Sequence, residues 1–384
     1  FYENPEKFSM AVYFSRITII YLPMVSLIAF WGSIAQASGK FIPHASAPII
    51  LNLSFVAGCI IILSNLLSES QIAYIVPLGG LIQLAFVGFW LKKMSLLPKI
   101  VYPKFSESSK QVWIKFLPAA FGAGVLQINL LVDTILASFL ESGSVSYLYY
   151  SDRVAQLPLG IIGIALGTVL LPNFSKAEAK KDLSFIKKET SNAIKFVSIF
   201  SIPSLVGLII MSEIIVEVLF GRGAFSQNEI IGVSVALKAY AIGLPAFIII
   251  KVLHPCFFSS GDTSTPFRVS IITVLVNIIL SIILMQYFSF YGIALASSIS
   301  AFLTVIILLS ILINRGRLSL KFFKDIVFLI IIAVPFSIFL YLILILVQPL
   351  NLLLSLVAII ILGITIWFLL MYIFGFFSIK SFLN

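Results

Sequence analysis

Four side chains in one stretch have the types and spacing to bind an anion together. Ser146, Tyr149, Arg153 and Gln156 recur at steps of three and four residues, so on an α-helix they share one face. A guanidinium on that face suits a phosphate, because its planar fork donates two parallel hydrogen bonds. Arg153 lies about 10 Å into its apolar run at 1.5 Å per residue, where a charge needs a partner or a water-filled cavity. The structural alternative is that Arg153 pairs with the adjacent Asp152 or snorkels outward.

A second group is built of oxygens. Gln127, Asn129 and Asp133 sit near the middle of one apolar run, Asn277 and Ser281 lie one helical turn apart in another, and Ser297 lies in a third. Asp133, Asn277, Ser281 and Ser297 are candidate ligands for a small cation; the alternative is plain hydrogen bonding between packed helices. Lys238, Lys251 and His254 share a further run, as cavity cations that attract an anionic head group or as snorkelling interfacial lysines. Gly221-Arg222-Gly223-Ala-Phe225 reads as a turn at the outer mouth. Cys59 and Cys256 lie in apolar runs without metal-site spacing, so neither a disulfide nor a zinc site is expected.

The elements that position these residues are set by composition. Of 384 residues 60% are hydrophobic and only 10% charged, against about 25% charged in a soluble domain, and the mean hydropathy is +1.15. That excludes a water-soluble fold and predicts an all-α polytopic membrane protein. A membrane β-barrel is excluded because it would alternate polar and apolar residues. Apolar runs predict about eleven spans at 16–37, 47–67, 72–91, 113–140, 147–171, 190–211, 235–258, 267–288, 291–313, 323–347 and 350–377.

The formal charge of +10 does not point to nucleic acid, because the basic residues fall in short loops between spans. They cluster at Lys92 to Lys110, Lys176 to Lys188 and Arg315 to Lys324, and alternate with loops almost free of Lys and Arg. The positive-inside rule places these loops and the C-terminus in the cytoplasm and residues 1–15 outside. No signal peptide is read at the start.

Leu22-Pro23 and Ser38-Gly39 recur with the same spacing as Leu244-Pro245 and Ser260-Gly261, about 222 residues on. Each copy predicts a proline in the membrane, a glycine turn at the cytoplasmic end, and a proline (Pro48, Pro266) opening the next helix. The offset is the size of a six-helix half, and repeated halves build many transporters. The first half then holds only its last three helices, so about three spans are expected to precede Phe1. The expected division is 1–104 as the remainder of one lobe, 105–320 as a second lobe of six helices, and 321–384 as two accessory helices. Those last two either face lipid or form a groove for a long lipid tail.

Enzyme signatures are missing: Gly-x-Ser-x-Gly, a P-loop, His-Glu-x-x-His and paired aspartates for magnesium-bound diphosphate. A transporter without an ATP site is expected, driven by an ion gradient or the membrane potential rather than by a resident cofactor.

The runs from Gln127 to Ser138, Gly143 to Arg153 and Gln156 to Pro172, with Arg222-Gly-Ala-Phe225, Tyr240-Ala-Ile-Gly-Leu-Pro245 and Gly261-Asp-Thr-Ser-Thr-Pro266, strongly resemble the MurJ (MviN) family of lipid II flippases. The resemblance covers essentially the whole chain. It implies a bacterial inner-membrane protein of the multidrug/oligosaccharidyl-lipid/polysaccharide exporter superfamily with fourteen helices. Two six-helix lobes would form a V around a cationic cavity, and two further helices would hold the undecaprenyl tail. The eleven spans would be helices four to fourteen. The family's substrate, lipid II, would move from the inner to the outer leaflet by alternating access for cell-wall synthesis.

The resemblance places Arg153 on a required cavity arginine and Ser146 on a required small polar position. It departs at Gln156, where many members carry Glu, which puts a proton or ion-pair role there in doubt. The family's other cavity arginines lie in its first two helices, so this stretch alone is not expected to transport. Further implications are lipid II and membrane lipids as partners, a monomer, and contact with the cell-wall synthesis machinery; a coupling cation, Na+ or H+, or the membrane potential would drive transport. A drug exporter of the same superfamily would want an acidic cavity, and a scaffold protein would not need these polar residues within spans.

Overall fold

The computed structural model describes residues 5–65, 68–98, 107–347 and 351–376. The described residues form twelve α-helices and one 3-10 turn, with no strand. They are α1 (Pro5–Thr18), α2 (Tyr21–Ala37), α3 (Ile42–Leu63), α4 (Ile75–Lys93), α5 (Glu107–Ser138) and α6 (Ser144–Ala179). Then follow α7 (Leu183–Ile210), α8 (Ser212–Phe220), α9 (Gln227–Phe258), α10 (Ser264–Asn314), α11 (Lys321–Val347) and α12 (Leu352–Ile373). Among the described residues eight helical stretches are long and apolar enough to cross a membrane, so the protein is a multi-pass membrane protein.

Nine of the eleven expected spans fall on these eight stretches and the other two, 113–140 and 147–171, on the helices α5 and α6, with three corrections. The first apolar stretch runs over Phe8–Ala37 and is broken between α1 and α2, because Pro23 has no N–H to donate to the carbonyl of Ile19. Spans eight and nine form one element, α10, folded back on itself at Ser289 (φ 50°, ψ −141°). The fold-back is a hairpin, since Asn277 in its first half donates to Ser297 in its second at 3.2 Å. Pro48 does not open α3 but lies inside it. Pro43, in the first turn, is the opening proline, at a position whose N–H has no helical partner.

The repeated glycines do share one local structure. Gly39 after α2 and Gly261 after α9 have φ of +76° and +75°, and the residue after each donates back across the turn, Lys40 to the Ala35 carbonyl at 2.9 Å and Asp262 to the Phe257 carbonyl at 3.1 Å. This is the left-handed helix stop that glycine takes without a Cβ clash.

The chain divides into two compact units, Phe1–Lys110 and Gln111–Asn384. In the first, α2, α3 and α4 are tied by Gln83, which is buried, accepts from the Tyr21 hydroxyl at 3.0 Å and donates to the Ala47 carbonyl at 2.5 Å. In the second, α9 is central and packs on α6, α7, α8 and α10. Its inward positions are small, including Gly232, Ser234, Ala236, Ala239 and Gly243, which lets helix backbones approach where lipid offers no hydrophobic drive. Helix α11 packs on α7, and α12 on α11 and α8. The Trp367 indole donates to the Ile199 carbonyl at 2.9 Å and pins α12 to α7.

The basic loops of the second unit meet at one end. Arg315 pairs with Asp262 at 2.7 Å and Arg317 pairs with Glu178, joining the ends of α6, α9 and α10. Burial pushes the Asp262 carboxyl up, but hydrogen bonds from the Thr265 hydroxyl and N–H, Arg315 and Ser264 outweigh it and hold the group well below the usual range. Asp182, which caps α7 by accepting from the Phe185 N–H at 3.0 Å, is also lowered, chiefly by the hydrogen bond from Ser184 and then by that N–H.

Candidate functional site

Helix α6 begins just after Gly143, whose φ of +104° turns the chain sharply out of the α5–α6 connection. The periodicity of the helix then sorts its residues by face. Ser144, Leu148, Ser151, Val154 and Ala155 turn inward and are buried, whereas Ser146, Tyr149, Arg153 and Gln156 are exposed along one side of the unit. The Arg153 guanidinium lies over the Tyr149 ring, 4.9 Å from its centroid, so the ring face holds the cation by its quadrupole.

Among the described residues Arg153 comes within salt-bridge distance of no carboxylate, although the adjacent Asp152 is near enough to feel its charge. Asp152 instead accepts a hydrogen bond from the Gln156 amide one turn on. The guanidinium therefore keeps its in-plane donors for another molecule. Farther along the same flank, Gly160 has open space where a Cβ would stand, and the Lys251 stem lies against Gly163, 3.3 Å from that residue's would-be Cβ. Gly163 is ten residues from Arg153, about 15 Å along the axis, so Lys251 on α9 is a second exposed cation on this side of α6. His254, one turn on from Lys251, has a buried Nε2 with no partner among the described residues. Lys238 is separate from this group: it pairs with Glu213 of α8 at 3.4 Å. Arg222 donates to the Val218 carbonyl at 3.2 Å and closes α8.

The oxygen cluster converges. Ser281 and Ser297 donate to the two carboxylate oxygens of Asp133 at 3.4 and 3.5 Å, and Asn129 donates to it at 3.3 Å. Asp133 is 8% exposed, Asn277 2% and Ser281 0%. Three helical segments, α5 and both halves of α10, thus meet at one carboxylate. Gln127 is exposed and takes no part. The Oδ1 atoms of Asn129 and Asn277 are buried without a donor among the described residues. Unpaired amide oxygens beside a carboxylate and two hydroxyls are hard ligands of the kind that small alkali or alkaline-earth cations accept. Groups of three or more His, Cys, Asp or Glu that could hold a metal are absent among the described residues, and Cys59 and Cys256 are free thiols.

A third feature is apolar. A cavity of about 510 Å³ opens between α6, α7, α11 and α12, with Leu157, Phe200, Gly207, Phe336, Gly363 and Trp367 among its walls. Hydrocarbon walls of this kind accept an alkyl chain and offer nothing to an ion. The sequence reading missed the Glu178–Arg317 and Asp262–Arg315 pairs and the hold of Trp367 on α7. Each joins residues more than fifty positions apart, and local spacing carries no sign of them.

The family described as Lipid II flippase MurJ matches residues 1–382. A protein of Rickettsia prowazekii named "Probable lipid II flippase MurJ" is 34% identical over 321 residues, which are 84% of this chain and 63% of that protein. A protein of the same name from Vibrio cholerae is 36% identical over 304 residues, 79% of this chain and 58% of its own length. The chain thus spans about three-fifths of these relatives. A solved structure titled "Lipid II flippase MurJ, inward closed conformation" superposes with a TM-score of 0.78 at 26% identity, covering 96% of this chain and 74% of that one. An inward-facing multidrug resistance MATE transporter of the MOP superfamily has a TM-score of 0.71 at 12% identity, covering 84% and 73%, and shares the fold. On a match that runs from the first residue to the last helices, the chain belongs to the MurJ family of lipid II flippases.

Proposed function

We propose that the protein moves lipid II, the diphosphate-linked peptidoglycan precursor, from the inner to the outer leaflet of the bacterial inner membrane by alternating access. The observation that carries this reading is Arg153: a guanidinium on the exposed face of α6, stacked on Tyr149 and with no carboxylate in salt-bridge contact among the described residues. It binds the diphosphate through paired hydrogen bonds, with Ser146, Tyr149 and Gln156 beside it and Lys251 as a second cation on the same flank. The apolar cavity against α11 and α12 takes the lipid tail. A cationic drug would want an acidic face here.

The basic loops and the C-terminus lie in the cytoplasm, as their lysines and arginines direct. Asp133, Asn129, Asn277, Ser281 and Ser297 hold the coupling cation, Na+ or H+; when bound, it adds a charge on which the membrane potential acts, about 2.3 kcal/mol per charge per 100 mV. The protein acts as a monomer alongside the cell-wall synthesis machinery and needs no nucleic acid. The test is lipid II exposure at the outer leaflet, read by an externally added enzyme that cleaves it, in cells depleted of the full-length protein. Loss of cleavage with accumulation of lipid II inside is expected. Unchanged cleavage in cells with no other flippase would overturn the reading.

A further inference from the structure

Two helical turns from Arg153, at the end of the second unit opposite the basic loops, lies a smaller pocket of about 290 Å³. Its walls are the α5–α6 turn at Ser142 and Gly143, then Ser146, Tyr147 and Tyr150 of α6, Phe225, and Glu229 of α9. That volume is near the lower edge of ligand sites, which run from about 300 to 1,000 Å³. It fits one ring rather than a whole head group.

The aromatic walls are fixed from behind. Tyr150 meets Phe225 edge to face at 5.7 Å and lies 4.8 Å from Phe220. Tyr147 meets Phe290 edge to face at 5.2 Å and covers Gly232, where an added Cβ would come within 2.9 Å of its ring. Walls already held in place lose little freedom when a ligand enters. Glu229 is fixed as well: as the third residue of α9 it accepts at Oε2 from the Ser226 N–H, at 2.8 Å, and from the Ser226 hydroxyl. Its Oε1 retains acceptor capacity. Among the described residues the pocket lining holds no Lys or Arg, and a carboxylate repels a phosphate.

Aromatic faces, a held carboxylate and serine hydroxyls together suit a neutral ring with an apolar face and hydroxyls at its rim. We propose that this pocket is a subsite for a sugar ring of the diphosphate-linked glycan. The proposal rests on the flippase reading and adds to it. Ser146, which lines the pocket, is seven residues from Arg153 on the same exposed face, about 10 Å along the helix. A diphosphate followed by a sugar ring spans that interval, so one substrate reaches both. An ammonium group also suits aromatic rings with a carboxylate, and the peptide-bearing lipid tests for one.

The test uses the full-length protein in nanodiscs and three probes: undecaprenyl diphosphate, the same lipid bearing its disaccharide, and the same lipid bearing disaccharide and peptide. Native mass spectrometry reads the affinity of each for the wild type, Glu229→Gln and Arg153→Ala. Gln keeps the capping box, since it fills the same role as Glu at that position, and a melting curve checks the fold. The wild type is expected to bind the disaccharide lipid more tightly than the bare lipid by on the order of tenfold, the worth of one hydrogen bond to a charged group. Glu229→Gln removes most of that difference and leaves the bare lipid unchanged, whereas Arg153→Ala weakens all three. Equal wild-type affinity for bare and disaccharide lipids, or an equal loss on both in Glu229→Gln, overturns the sugar subsite and leaves the flippase reading standing. A loss confined to the peptide-bearing lipid assigns the pocket to an ammonium and overturns it too. A wild type that binds none of the three sinks the flippase reading itself.

Discussion

Arg153 differs from Arg315 and Arg317 in what stands beside it. Asp262 and Glu178 neutralise the other two, whereas the carboxylate adjacent to Arg153 is engaged by Gln156 and the guanidinium rests on a tyrosine ring. An exposed cation held only by a ring face would contribute little to folding and much to binding a phosphate. Arg153→Ala in the full-length protein should therefore lower lipid II exposure by roughly a hundredfold, the loss of two charge-assisted hydrogen bonds, with membrane levels unchanged on immunoblot. Arg153→Lys should recover only part, because an ammonium lacks the fork and stacks poorly. Gln156→Ala should cost only a few-fold, since it removes a neutral amide; a defect equal to that of Arg153→Ala would show that Gln156 itself contacts the substrate.

Helix ends and helix crossings decide how firmly these residues are held. At the basic end, Asp262 accepts from the Thr265 N–H at the start of α10, at 2.9 Å, and binds Arg315, the residue that follows its end. The hairpin is thus closed by one carboxylate whose pKa lies below its ordinary value. A lowered carboxyl stabilises the fold above the unfolded value, about 3.9, and that contribution is lost as pH falls toward the folded value. Thermal unfolding in detergent should accordingly show a stability step in acid below about pH 4 that Asp262→Asn flattens; an unaltered profile would mean the carboxylate carries no weight. At the crossing of α9 and α10 the limit is steric. A Cβ on Gly243 would lie 2.6 Å from Ser298 Oγ and 2.8 Å from its Cα, and that hydroxyl is already committed to the Ala239 carbonyl at 2.7 Å. Gly243→Ala should cost about 1–3 kcal/mol, as overpacking does, and lower the melting temperature measurably, while Gly160→Ala, into open space, should not.

Across the whole molecule, what was readable in the sequence depended on how local its cause was. The spans were legible because each is a long apolar run, and the α6 face because a helix puts residues three and four apart side by side. The partner of Asp152 was not legible, since Arg153 and Gln156 are both within its reach and only side-chain placement decides. Nor was the proline that opens α3, because Pro43 and Pro48 both lie near its start. The meeting of Asp133 with Ser281 and Ser297 spans about 150 residues of chain, and sequence could only nominate its members. Orientation rests on charge alone and is a proposal to be tested. Lys176, Lys180, Lys181, Lys187, Lys188, Arg315 and Arg317 gather at one end of the second unit, which the Glu178–Arg317 pair ties together, and interior-side lysine and arginine set topology. In a background without Cys59 and Cys256, a single cysteine at Lys180 should react with a membrane-impermeant maleimide in inverted vesicles and stay unlabelled in right-side-out ones. A cysteine at Glu141, in the α5–α6 turn, should show the reverse. Should both label from the same side, α6 does not span, and Arg153 cannot stand within a membrane-crossing path. If the pattern is simply inverted, the helix still spans but the basic end faces outward, and the direction assigned to lipid II movement fails while the binding face of α6 survives.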